Sequence, residues 1–147
     1  MVKPTTNIVA IYQAKESVMG NVLPLYSSSP AAGFPAPGDD MVEVSLNVHD
    51  LLVKHPASTF FVRVEGDSME GAGIYSGDIL VVDRSIDARH KSIVVAVVAG
   101  GLVVKRLQKT SEGLVLVSEN DSYAPIVLSE TDDCFIWGVV TGSARQF

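Results

Sequence analysis

The chain contains 147 residues, 47% of them hydrophobic, which is enough for one domain with a substantial core and too few for two. Its formal net charge of −6, without any run of basic residues, argues against direct binding to nucleic acid, because such binding depends largely on neutralising phosphates. The single cysteine and the lack of an apolar stretch near the roughly 18 to 20 residues that span a bilayer predict a cytoplasmic protein without disulfides.

The first part of the sequence predicts an arm followed by a connector. Residues 8–12 (IVAIY) are the one stretch of the arm with strand character. Residues 27–38 are rich in Ser, Pro, Ala and Gly, a composition typical of an extended linker. Within this linker, Ala32 and Gly33 place small side chains on both sides of one peptide bond. A nucleophile could approach the carbonyl of that bond without steric hindrance.

Residues 45–56 predict one short helix. Asn47 can cap the free amides at its start, and Pro56 prevents its continuation. An apolar stripe follows the helical spacing at Val48, Leu51 and Leu52. The two histidines of this region, His49 and His55, have no acidic partner at a useful spacing, so we expect solvated or capping side chains.

A strand at residues 60–65 is expected to lead to Ser68. Val62 and Val64 alternate with charged residues, which is the period of a half-buried strand, and Gly66 then permits a sharp turn. Ser68 should therefore lie at the end of a strand. A serine hydroxyl is a weak nucleophile unless a base removes its proton.

The base that the sequence offers is Lys105. In the strand predicted at residues 102–107, alternation places Lys105 on the same side as two apolar residues, which predicts burial. Burial lowers a lysine pKa from its reference value of roughly 10.4 and so favours the neutral base. If Gly100 and Gly101 form the preceding hairpin turn, Ala96 lies opposite Lys105 and leaves room for it.

Further strands are predicted at residues 79–83, 93–98, 114–117 and 134–140, with a polar loop at residues 118–126. These elements together predict a mainly β fold, a twisted or partly open barrel-like sheet with one short helix and an extended N-terminal arm. No spacing of His, Cys, Asp or Glu indicates a metal site, and no glycine-rich phosphate loop is present. We therefore expect no cofactor. Pattern alone is also compatible with a turn serine at Ser68 and a surface lysine at Lys105.

Three motifs narrow these alternatives. The sequences GDSM at residues 66–69, GDILVVD at 77–83 and VKRL at 104–107 resemble the LexA-type self-cleaving serine peptidases, and within them the UmuD-like proteins of bacterial SOS mutagenesis. The resemblance implies a signal-peptidase-like β fold. It also implies Ser68 as nucleophile and Lys105 as general base, with the backbone amides of Asp67 and Ser68 stabilising the oxyanion.

The same resemblance implies a cut at the Ala32–Gly33 bond. The chain would then divide into an arm of residues 1–32 that self-cleavage removes, a linker of residues 33–44 and a serine-lysine peptidase domain of residues 45–147. A RecA filament on single-stranded DNA would stimulate the cut. The trimmed homodimer would join the catalytic subunit of an error-prone Y-family DNA polymerase.

Two other functions stay open from the sequence. A LexA-like transcriptional repressor shares the peptidase domain, but the arm of about 30 residues is small for a helical DNA-reading domain. A catalytically silent β domain that only binds proteins is the second alternative. In that protein Lys105 would titrate normally, and replacing Ser68 would leave the processing of the chain unchanged.

Overall fold

The computed structural model describes residues 6–15, 22–26, 42–128 and 133–147. The predicted cleavage site, Ala32–Gly33, lies outside these residues, as does most of the predicted linker. Within the described part of the chain, no helix is long and apolar enough to cross a membrane.

The described residues form ten strands and one short α-helix, α1, which confirms the predicted mainly β fold. In the first half of the chain the elements are β1 (Asn7–Gln13), β2 (Val22–Tyr26), β3 (Val42–Asn47), α1 (Val48–Leu52), β4 (Thr59–Glu65) and β5 (Ile79–Asp83). In the second half they are β6 (Ile93–Val98), β7 (Gly101–Thr110), β8 (Gly113–Val117), β9 (Ile126–Val127) and β10 (Cys134–Ala144).

Eight of the described strands form one antiparallel sheet in the order β1-β4-β5-β10-β6-β7-β8-β9, while β2 and β3 pair with each other. An additional pairing, Asn7 opposite Val103, joins β1 to β7. Six strands therefore close into a ring in which β1 fills the place between β4 and β7. The predicted strand at residues 8–12 is confirmed, and it is part of the main sheet.

The hairpin before Lys105 differs from the prediction. Its turn residues are Ala99 and Gly100, with φ of 50° and 81°, a left-handed pair typical of a two-residue hairpin. The register therefore shifts, and Lys105 lies opposite Val94 instead of Ala96. The prediction was wrong because a run of Ala, Gly and Gly offers two possible turns, and only the paired sheet selects between them.

The helix starts directly after its predicted cap, but it is shorter than the predicted residues 45–56, since residues 45–47 belong to β3 and the helix ends at Leu52, and it is not buried. Asn47 caps it, since the Asn47 side chain accepts a hydrogen bond from the Asp50 amide at 3.2 Å. Val48 and Leu51 are about half exposed, so the apolar stripe does not face the core.

The core consists of two clusters of buried side chains on the sheet. One cluster consists of Val62, Val64, Met69, Ile74, Leu80, Val82, Val95 and Val104. The other consists of Val94, Ala96, Val103, Leu107, Leu116 and Val139. The two valines of β4 belong to the first cluster and are fully buried, which confirms the alternation predicted for that strand. Apolar packing therefore anchors both β4, which leads to Ser68, and β7, which carries Lys105.

Candidate active site

Ser68 lies beyond the end of β4, in a segment of residues 66–72 that we call the serine loop. β4 ends at Glu65, and Gly66 then adopts a φ of 113°, a conformation that favours glycine. The turn predicted at Gly66 is thus confirmed. Ser68 is fully buried, and the adjacent Met69 is part of the first core cluster. Packing of Met69 fixes the position of the serine beside it.

The hydroxyl of Ser68 is held by Thr6. Ser68 Oγ donates to Thr6 Oγ1 at 2.8 Å and accepts from the Thr6 amide at 2.8 Å. Thr6 is itself fully buried, and its carbonyl accepts from the Val104 amide at 3.0 Å. Ser68 is therefore connected to β7 through a residue 62 positions away. The contact of Thr6 with Ser68 was not predicted, because no local pattern links an N-terminal threonine to a distant serine.

Lys105 lies on β7 and is only 3% exposed, which confirms the predicted burial. Its neighbours on the same side of the strand, Val103 and Leu107, belong to the second core cluster. Lys105 Nζ donates to Ser118 Oγ at 2.6 Å and lies 5.4 Å from the centre of the Tyr123 ring. Burial lowers the pKa of the Lys105 ammonium below its usual value. The lysine is therefore easier to deprotonate than one at the surface.

The polar loop of residues 118–126 reaches across to the serine loop. Tyr123 Oη donates to Asp67 Oδ1 at 2.7 Å, and Asn120 Nδ2 donates to the Asp67 carbonyl at 3.2 Å. Glu119 contributes its carbonyl, which accepts from the Gly71 amide at 2.9 Å. Partial burial, together with the Asp67 carboxylate, raises the pKa of Tyr123 to about 12. At neutral pH Tyr123 is therefore protonated and can donate this hydrogen bond.

Tyr123 links the two predicted catalytic residues indirectly, since it contacts Lys105 through its ring and the serine loop through its hydroxyl. Among the described residues, Ser68 hydrogen-bonds Thr6 and Lys105 hydrogen-bonds Ser118. The hydroxyl of Ser68 must therefore change partner before Lys105 can take its proton. The roles of the Asp67 and Ser68 amides as oxyanion donors stay a prediction.

A second polar cluster lies at the other end of β4. His55 Nδ1 and Asp83 Oδ2 are 2.5 Å apart, so the expectation that His55 has no acidic partner was wrong. Burial raises the pKa of the Asp83 carboxyl, but hydrogen bonds involving Ser85, His55 and Ser58 outweigh it and hold that pKa at about 2. Asp83 pairs with Thr59, at the far end of β4 from the serine loop. Within the described residues, no three His, Cys, Asp or Glu side chains are grouped as metal ligands.

Comparison with known proteins identifies the family. The sequence profile described as Peptidase S24-like matches residues 24–141. The chain belongs to the Peptidase S24-like family. The matched residues include the serine loop, the strand β7 that carries Lys105, the polar loop and the predicted cleavage site. The resemblance found from the three motifs is thereby confirmed.

Individual relatives of this S24-like chain agree with that assignment. Protein MucA of Salmonella typhimurium is 38% identical over 135 residues, which cover 92% of each chain. Protein ImpA of the same organism is 38% identical over 121 residues, which cover 82% of this chain and 81% of ImpA. The LexA repressor of Shewanella sediminis is 35% identical over 143 residues, which cover 97% of this chain and 68% of the repressor.

Proposed function

We propose that this S24-like protein cuts its own chain at the Ala32–Gly33 bond, with Ser68 as nucleophile and Lys105 as general base. The observation that carries the proposal is the burial of Lys105 beside a loop that contacts the serine loop. A lysine whose ammonium form is destabilised by burial can accept a proton near neutral pH. Membership of a peptidase family supports the same chemistry.

The reaction is an acyl transfer in two steps. Neutral Lys105 takes the proton of Ser68 Oγ, and the oxygen attacks the carbonyl carbon of Ala32. The amides of Asp67 and Ser68 stabilise the oxyanion, an effect worth about 3 kcal/mol for one donor in comparable sites. The carbon–nitrogen bond then breaks, and protonated Lys105 gives its proton to the Gly33 nitrogen. Water, deprotonated by Lys105, hydrolyses the ester that joins Ala32 to Ser68.

The proposed biological role is SOS mutagenesis. The UmuD-like motifs and the similarity to MucA and ImpA over most of the chain support it. In this role a RecA filament on single-stranded DNA stimulates the cut, and the trimmed homodimer serves as an accessory subunit of an error-prone Y-family polymerase. The net charge of −6 supports protein partners over direct contact with DNA.

A second candidate function is transcriptional repression. The similarity to a LexA repressor over 97% of this chain favours it. The acidic charge argues against a DNA-reading role. A gel-shift assay with operator-like DNA separates the two functions, because only a repressor gives a specific shifted band that survives competitor DNA.

The cut itself is tested by incubating the purified chain at neutral and alkaline pH, with and without RecA filaments, and measuring product masses. Only neutral Lys105 can act as base, so the rate should rise about tenfold per pH unit until the lowered lysine pKa is passed. The expected products are residues 1–32 and residues 33–147. Gly33→Glu should block the cut by crowding the carbonyl. A chain that stays intact at alkaline pH with the filament would contradict the proposal.

The contact between the serine loop and the polar loop should also affect the rate of self-cleavage. A Cβ added at Gly71 would lie 2.5 Å from the Glu119 carbonyl oxygen, which is backbone and cannot rotate away. Gly71→Ala should therefore push the loops apart, slow the cut about tenfold or more, and cost about 1–3 kcal/mol of stability. Gly101→Ala is the matched control, because its nearest atom is 3.8 Å away. Equal cleavage rates for both variants would show that the loop contact is not needed.

A further inference from the structure

The N-terminal residues 6–14 occupy a slot in the main sheet. The strand β1 runs antiparallel to β4, from Asn7 opposite Glu65 to Gln13 opposite Phe60. At its start the Thr6 carbonyl accepts from the Val104 amide of β7, and at its end the Ala14 amide donates to the Thr59 carbonyl at 2.9 Å. The segment therefore bonds to the strand that leads to Ser68 and also to the strand that carries Lys105.

One face of this segment is packed and the other is exposed. Thr6 and Ala14 are buried at its two ends, and Ile8 packs against the first core cluster. Val9, by contrast, is 48% exposed. If the segment left, the backbone N–H and C=O groups of β4 and β7 that now bond to it would lose their hydrogen-bond partners. Such open sheet edges favour pairing with another extended chain. The slot therefore has the properties of a binding site for one extended peptide strand.

None of these contacts requires the bond between Ala32 and Gly33. We propose that the slot between β4 and β7 is a strand-binding site whose occupant is residues 6–14, and that the arm of residues 1–32 stays bound there without a covalent link after the cut. The retained arm keeps Thr6 on Ser68 and covers the nucleophile until another extended segment displaces it. The retention of the arm is independent of the proposed function, whereas the covering of the nucleophile rests on it.

Two consequences follow for the cleaved protein. Before the cut, the tether holds the arm near the slot at a high effective concentration, and the cut removes this advantage. Retention should therefore depend on dilution after the cut but not before it. In the uncut chain, the segment competes with productive use of Ser68, since the single proton of the serine hydroxyl cannot be donated to Thr6 Oγ1 and to Lys105 at once.

The test uses the full chain with a recognition sequence for a site-specific protease inserted between Ser17 and Val18, so that the freed part of the arm carries β1 but not β2, which pairs with β3. Cutting with the added protease makes the nick independent of Ser68. Size-exclusion chromatography and native mass spectrometry at micromolar concentration should find the arm still bound to the remainder. Ile8→Asp places a charge against the core and should release the arm, whereas the matched Val9→Asp places it on the exposed face and should retain the arm.

The self-cleavage rate of the uncut chain gives the second measurement. Ile8→Asp should raise that rate severalfold at alkaline pH, and Val9→Asp should leave it unchanged. Separation of the arm from the parent chain immediately after nicking would overturn the strand-binding site. Retention with equal cleavage rates in all three chains would overturn the covering of Ser68. Retention with no self-cleavage in any chain would instead overturn the proposed function, and it would leave the strand-binding site supported.

Discussion

Ser68→Ala is expected to abolish cleavage at Ala32–Gly33, lowering the rate at least about a thousandfold. Without the hydroxyl no ester to the Ala32 carbonyl can form, so the covalent route is closed rather than slowed. The measurement is the loss of intact mass at alkaline pH over several days. Ser122→Ala, at an exposed serine of the polar loop, is the matched control and should cut at the parent rate.

Ser68→Ala should also lower the stability of the fold, because it removes the hydrogen bonds between Ser68 and Thr6. Removing Ser68 Oγ leaves the buried Thr6 amide without the partner that it has at 2.8 Å. A buried donor left unsatisfied costs about 1–3 kcal/mol, so Ser68→Ala should lower the free energy of unfolding by this amount. Unfolding in urea measures the loss. A Ser68→Ala chain that still cuts itself would rule out Ser68 as the nucleophile.

Lys105→Met is expected to abolish the cut and to stabilise the fold. Methionine retains the length of the side chain but cannot accept a proton, so the cleavage rate should fall at least about a hundredfold. The free energy of unfolding should rise by about 0.5–2 kcal/mol, because a buried residue tuned for activity is replaced by an apolar one. Lys109→Met, at an exposed position of the same strand, should change neither quantity.

The pH dependence of this stabilisation has a defined sign. The folded-state pKa of Lys105 is lowered, so at any pH below it the folded protein must carry a buried charge that the unfolded chain carries in water. Above that pKa the penalty decreases, and it vanishes near the unfolded value of 10.5. The advantage of Lys105→Met over the parent should therefore be largest at low pH and shrink as the pH rises toward 10.5. An advantage that grows with pH, or a variant that cuts normally, would show that Lys105 is not a desolvated base.

The local sequence predicted most of the strands because each one has its own signal. Alternation at Val62 and Val64, the turn glycine Gly66 and the cap Asn47 depend on near neighbours, and the structure confirms all three. Burial of Lys105 was predictable for the same reason, since two apolar residues share its side of β7. Register was not predictable at Ala99 and Gly100, because the local preference of glycine for left-handed backbone favours a turn at Gly100 and Gly101, whereas the paired strands place Ala99 in that conformation.

The sequence by itself determined the mainly β class, the positions of the strands, and the residue types that could perform serine-lysine chemistry. Only the tertiary structure decided which distant groups meet. The contacts of Ser68 with Thr6, of Asp67 with Tyr123 and of His55 with Asp83 join residues 62, 56 and 28 positions apart. Such pairs carry no local signature, because side chains far apart in sequence are brought together only when the strands that carry them pair in one register and close the sheet.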